Sequence, residues 1–126
     1  MIYSLNLRCQ TKQRPRVTRR GTFMPKAYVS WKQRFRDELL AAYGRPEVLE
    51  SELVVAITAS FKHKARGDVD NYAGAVLDAC NGLLYKDDRQ VKRLYTELVE
   101  QCGKDKIELT VLPLRKDLSR WRPTDG

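Results

Sequence analysis

From Ile2 to Leu7 apolar and polar residues alternate, the period of a half-buried strand. Residues 8 to 26 lose that rhythm, and Pro15, Gly21 and Pro25 punctuate them as a loop or hairpin. Tyr28, Trp31, Phe35, Leu39 and Ala42 then recur at three- and four-residue spacing. That spacing predicts one face of a helix, which Gly44 and Arg45-Pro46 stop. Leu53 to Phe61 predicts a second strand. Leu53, Val55, Ile57, Ala59 and Phe61 form one face, and Val54 with Ala56 implies partial cover on the other. Beyond Lys62–Gly67, Asp70 is the expected N-cap of a second helix with the stripe Ala73, Val76, Leu77, Cys80, Leu83 and Leu84. Asn81-Gly82 frays the end of that helix. Val91 to Val99 predicts a third strand, Gly103-Lys104-Asp105 a turn, and Lys106 to Leu112 a fourth strand paired with the third as a hairpin. From Pro113 the pattern fades, so residues 1–112 are expected to form one domain and 113–126 a flexible polar tail.

Length agrees with a single domain: 126 residues suffice for one real core. Charge changes the picture more. The chain carries 24 Lys+Arg against 16 Asp+Glu, a formal net charge of +8. That balance favours a polyanionic partner, nucleic acid ahead of membrane lipid. No apolar run is long enough to span a bilayer, and no signal-peptide layout opens the chain. Cys9, Cys80 and Cys102 are odd in number and widely spaced, which implies reduced thiols and a cytoplasmic place. His63 is the single histidine and has no partner for acid–base work; it reads as a phosphate contact or a bystander.

Positive charge concentrates where periodicity is absent. Arg8, Lys12, Arg14, Arg16, Arg19, Arg20 and Lys26 occupy residues 8–26 without one acidic neighbour, an expected mobile DNA-contact loop. Lys62, Lys64 and Arg66 add a second basic stretch. Phe23 and Tyr28 read either as wedges at a DNA branch or as core, and Trp31, Phe35 and Leu39 as core or dimer surface.

Against this background stand two acidic knots, Asp68-Val69-Asp70-Asn71 and Asp87-Asp88. In extended backbone the two-residue spacing turns Asp68 and Asp70 to one side. Asp88 meets them only if the chain segments at the two ends of the intervening helix converge. Three such oxygen ligands, with room for water and phosphate oxygens, suit Mg²⁺ or Mn²⁺. The same residues also read as a helix cap and a solvated turn.

Arg14-Pro15-Arg16-Val17-Thr18, Gly21-Thr22-Phe23-Met24-Pro25, Asp68-Val69-Asp70-Asn71 and Ala75-Val76-Leu77-Asp78-Ala79 are four blocks of a larger pattern. The fifth is Asn81-Gly82-Leu83-Leu84-Tyr85-Lys86-Asp87-Asp88-Arg89-Gln90-Val91. In this order and spacing the chain resembles the RusA family of crossover-junction endodeoxyribonucleases, in particular its phage-encoded members. The resemblance implies an α+β fold: a small mixed sheet of about four strands with two main helices, assembled as a homodimer. It implies Mg²⁺-dependent resolution of four-way (Holliday) or branched DNA by paired nicks, in the nucleoid or a phage-infected bacterial cytoplasm. Carried over by motif, Asp68, Asp70 and Asp88 are the catalytic and metal-binding carboxylates. Asn71, Asp78 and Asp87 stand behind them, with exchange of Asp87 for Asp88 left open. Where the family often has lysine, four residues after its second aspartate, this chain has Gly74. Lys86 is the favoured substitute charge, ahead of Lys64 and Arg66. Gly74 keeps one rival reading open, a non-catalytic binding module for branched or single-stranded nucleic acid.

Overall fold

The computed structural model describes residues 1–114. In chain order the elements are β1 (Ile2–Leu5), β2 (Arg16–Thr18), β3 (Gly21–Phe23), α1 (Lys26–Tyr43), β4 (Leu53–Ser60), α2 (Val69–Cys80), β5 (Val91–Val99) and β6 (Lys106–Pro113). Two helices and a mixed four-stranded sheet make the expected α+β fold. The flexible tail expected from Pro113 lies outside the described residues from Arg115 onward. Its first two positions belong to the sheet, where Pro113 ends β6 and the Leu114 amide donates to the Glu52 carbonyl at 2.7 Å.

Sheet order is β1-β6-β4-β5. β4 carries the longest apolar run, Leu-Val-Val-Ala-Ile-Thr-Ala-Ser, and takes the interior. Its residues Leu53, Val55, Ile57 and Ala59 point to the helix-covered side and are almost wholly buried. Ile107, Leu109 and Val111 of β6 and Tyr3 and Leu5 of β1 continue that face.

The expected hairpin between the last two strands is absent. β6 pairs antiparallel with β4 and β1, while β5 pairs parallel with β4 on its other edge. Residues between β5 and β6 cross the exit of β4, pinned by Phe61 N–H to the Val99 carbonyl and Cys102 N–H to the Phe61 carbonyl. Gln101 and Gly103, both at positive φ, allow the bend. β5 carries Lys92, Arg93 and Glu97, residues that suit an edge, so the apolar β4 takes the centre.

Both helices lie on one face of the sheet. α1 buries Tyr28, Trp31, Phe35 and Leu39; Ala42, expected on that face, is exposed. Tyr28 is therefore core, not a wedge. Asp68, not Asp70, holds the N-cap position of α2, without a side-chain capping bond, and Asp70 lies in the first turn. The helix ends at Cys80, and Leu83 and Leu84 are buried beyond it in a turn made by Gly82 at φ +74.

Asp78 ties α2 to α1, accepting hydrogen bonds from Tyr28 Oη at 2.8 Å and Lys32 Nζ at 3.0 Å. Burial pushes its carboxyl up, but the bonds from Tyr28 and Lys32 outweigh this and leave it below the ordinary value. A depressed carboxylate adds stability above the unfolded-state pKa and loses it as pH falls through the folded one. Asp78→Asn is expected to cost about 1–3 kcal/mol at pH 7. Urea unfolding at pH 7 and pH 3 checks this: the parent and variant midpoints should converge in acid, and an unchanged gap would refute the assignment.

Candidate functional site

Asp68 and Asp70 stand where β4 hands over to α2. The loop between is held by its own backbone: Lys62 N–H donates to Asp105 Oδ1 at 2.9 Å and Ala65 N–H to Glu100 Oε2 at 2.8 Å. Arg66 and Gly67 N–H both donate to Tyr72 Oη, at 3.2 and 3.1 Å. Tyr72 is buried against Phe61, with ring centroids 5.0 Å apart, so these donors converge on a fixed post. Gly67 is required there, because a Cβ would collide with the Thr11 methyl and press on the Tyr72 ring. Both carboxylates are exposed, and among the described residues neither has a side-chain partner. They stand at the N-terminus of α2, the positive end of the helix dipole.

Basic residues flank this end. Lys62, Lys64 and Arg66 are exposed on the loop. Residues 8–12 run over α2, with Lys12 N–H bonded to the Asn71 carbonyl at 2.8 Å and Trp31 Nε1–H to the Arg8 carbonyl at 2.8 Å. Arg8 and Arg66 line a polar pocket of about 390 Å³ together with Thr11, Gly67 and Tyr72. Arg16, Arg19 and Arg20 sit on the β2–β3 hairpin, whose residues are all exposed, and Arg14 leads into it. Lys26 opens α1, and Phe23 is 52% exposed at the hairpin end. His63 is exposed; its carbonyl accepts the Gln101 amide.

Lys12, expected only as part of the basic DNA-contact segment, packs on α2. Its side chain lies over Gly74, with Cδ 3.1 Å from where a Cβ would be, and so fills the room a residue-74 side chain would take. A glycine at a helical position was the one clue to this; the path of the basic segment left none in the sequence. Lys12 is exposed and flexible, so a methyl at 74 displaces little while removing a helical glycine. Gly74→Ala is expected to raise stability by about 0.5–1 kcal/mol, read as a higher urea midpoint. A lower midpoint would mean that Lys12 cannot yield.

The second knot sits at the opposite end of α2. Tyr85 is buried and its hydroxyl donates to the Leu77 carbonyl at 2.8 Å. Gln90 staples the turn: Nε2 donates to the Leu49 and Ser51 carbonyls, and Oε1 accepts from the Lys86 and Asp87 amides. Asp87 caps the short 3₁₀ turn by accepting from Arg89 N–H at 2.9 Å, which holds its carboxyl below the ordinary value. Asp88 is half-buried beside it. Lys86 pairs with Glu50 at 2.6 Å on the surface and lies at this end, far from Asp68 and Asp70.

The two knots do not meet within one chain. β4 and β5 are sheet neighbours, as convergence required, but they run parallel, with Leu53 opposite Val91 and Ser60 opposite Val99. α2 must therefore return along the whole sheet, and its 12 residues span about 18 Å at 1.5 Å each. Asp68 sits at the exit of β4, Asp88 at its entry. Asp70, helical rather than extended, also loses the strand geometry expected to align it with Asp68. Among the described residues no three His, Cys, Asp or Glu side chains converge to hold a metal ion. Asp68 and Asp70 offer hard, unpaired carboxylate oxygens that suit Mg²⁺, but the third expected ligand does not reach them in a single chain. Asp78 faces α1, where its carboxylate accepts from Tyr28 and Lys32 and not from either knot, and Asn71 contributes its backbone to Lys12.

The family model for endodeoxyribonuclease RusA matches residues 7–111. No curated protein matches the chain at a significant level. Among the described residues no helix is long and apolar enough to cross a membrane.

Proposed function

Because the chain belongs to the RusA endodeoxyribonuclease family, we propose that it resolves four-way or otherwise branched DNA by paired nicks in a Mg²⁺-dependent reaction, with Mn²⁺ as a substitute. Hydrolysis leaves 5′-phosphate and 3′-hydroxyl ends. The observation that carries this reading is an exposed carboxylate pair at a helix N-terminus, without a side-chain partner among the described residues and rimmed by Arg8, Lys62, Lys64 and Arg66. The basic wall binds phosphates without reading sequence, and the rigid Tyr72 post fixes the carboxylates beside it. The hairpin Arg14–Arg20 extends the positive surface along a DNA arm. Three free cysteines, two of them buried, fit action in a reducing bacterial cytoplasm on nucleoid or phage DNA. Burial pushes the Cys9 thiol up to about 12, so it is inert toward metals and disulfides near neutral pH.

One observation favours a second reading, a binding module for branched nucleic acid: the two acidic knots lie apart within the chain. Cleavage of an immobile four-way junction beside a linear duplex separates the two. Paired nicks with Mg²⁺ and none in EDTA support the nuclease, whereas tight junction binding without nicks under any metal supports the module.

A further inference from the structure

We infer that Lys12, carried across α2 on a strap of residues 8–13, is the cation that meets the scissile phosphate beside Asp68 and Asp70. This rests on the nuclease reading above for its purpose, and on the packing of the strap for its geometry.

The strap is fixed at several points. Trp31 Nε1–H donates to the Arg8 carbonyl, and the buried Cys9 thiol donates to the Tyr72 carbonyl at 3.8 Å. Gln13 Nε2 donates to Thr11 Oγ1 at 3.1 Å. Lys12 N–H donates to the Asn71 carbonyl at 2.8 Å, which pins its backbone to the first turn of α2. Two glycines leave the strap its path. A Cβ at Gly67 would strike the Thr11 methyl, and one at Gly74 would press on the Lys12 stem. The stem of Lys12 thus takes the place of a side chain grown from the helix itself.

The stem is placed while the charge stays available. Lys12 is exposed, and among the described residues its ammonium has no ion-pair partner. Asp78 feels that charge only behind burial and the bonds from Tyr28 and Lys32. Asp70 and Gly74 are four residues apart on one face of α2, a rise of about 6 Å. A flexible four-carbon stem lying over Gly74 reaches across one such turn. Other cations are engaged or displaced. Lys86, expected to lend its charge here, pairs with Glu50 at the far end of α2, and Lys32 is held by Asp78. Lys62, Lys64 and Arg66 lie on the loop ahead of the helix, a position suited to flanking phosphates.

A phosphate entering against Asp68 and Asp70 brings negative charge to negative charge. Attack by water then builds more on its non-bridging oxygens. A cation one turn along the helix offsets both. Lys12 acts by charge alone: the water oxygen bonds to phosphorus, the bond to the 3′ oxygen breaks, and a water proton ends on that oxygen.

Three variants test this. Lys12→Met keeps a stem over Gly74 without the charge, Lys12→Ala removes both, and Lys12→Ala/Gly74→Lys returns the amine from the helix. Single-turnover cleavage of an immobile four-way junction is followed in Mg²⁺ with protein in excess, and affinity in EDTA from low to high salt. Both single variants should cut about 10²–10³-fold more slowly, the loss that follows removal of one charge-stabilising donor. Their affinity at 0.1 M salt should fall by less than about tenfold, with the log–log salt slope lower by about 0.9. The double variant should regain at least about one decade of rate, which a packing role for Lys12 would not return. A Lys12→Met chain that cuts within about threefold of the parent overturns the inference. So does a double variant no faster than Lys12→Ala, when urea unfolding shows both to be folded. If the parent cuts no junction under any metal, the nuclease reading falls and the EDTA slope decides Lys12. A slope lowered in Lys12→Met and restored in the double variant keeps it as a phosphate contact, whereas an unchanged slope removes that as well.

Discussion

Asp70→Asn is expected to abolish junction cleavage while leaving the protein folded and bound to DNA. Asp70 is exposed in the first turn of α2 and makes no side-chain bond among the described residues, so the isosteric amide disturbs no packing there. The only structural loss is its charge at the helix N-terminus, about 0.3–1 kcal/mol. Function is more sensitive. Charge stabilisation by a cation is worth several kcal/mol, and each 1.36 kcal/mol is tenfold in rate, so the fall should be roughly 10²–10⁴-fold. Affinity for DNA should hold or rise, because the change removes a negative charge facing phosphates. The measurement is cleavage of an immobile junction in Mg²⁺ beside a mobility shift in EDTA. A variant cutting within about threefold of the parent would remove Asp70 from the cation site on this scale.

Much of this arrangement was legible in the residues, and the parts that were not share one cause. Periodicity located both helices and the four strands of the main sheet, because each buries one face and its pattern records which. Partner choice is a tertiary property that the pattern does not carry. The Gly103-Lys104-Asp105 turn serves a hairpin and a crossover equally well, so the pattern predicts β6 beside β5, whereas β4 lies between them. Asp68 and Asp70 are both capping residues, and only backbone geometry separates the cap from the first turn. The β2–β3 hairpin buries nothing and so leaves no apolar alternation to find. For the site, the sequence named the carboxylates but not their separation. A connection as long as the one between Ser60 and Val91 is what parallel neighbours need, and parallel neighbours force the helix ends apart.

The second large effect is expected from the hairpin. Changing Arg14, Arg16, Arg19 and Arg20 together to alanine should weaken junction binding by roughly 10³-fold near 0.1 M salt, if each arginine meets one phosphate. The reasoning is counterion release: each phosphate neutralised contributes about 0.9 to the slope of log affinity against log salt, so four contribute roughly 3–4. The fold should not register the loss. All four side chains are exposed, and β2 and β3 form a separate two-stranded sheet outside the β1-β6-β4-β5 core. Exposed substitutions of this kind usually shift stability by no more than about 0.5 kcal/mol each. Fluorescence anisotropy on a labelled junction from low to high salt gives both numbers, with urea unfolding as the control. A lost slope with an unchanged midpoint places the hairpin on the phosphate backbone. An unchanged slope would confine DNA contact to the Arg8 and Lys62–Arg66 wall and leave the hairpin a solvated ornament of the surface.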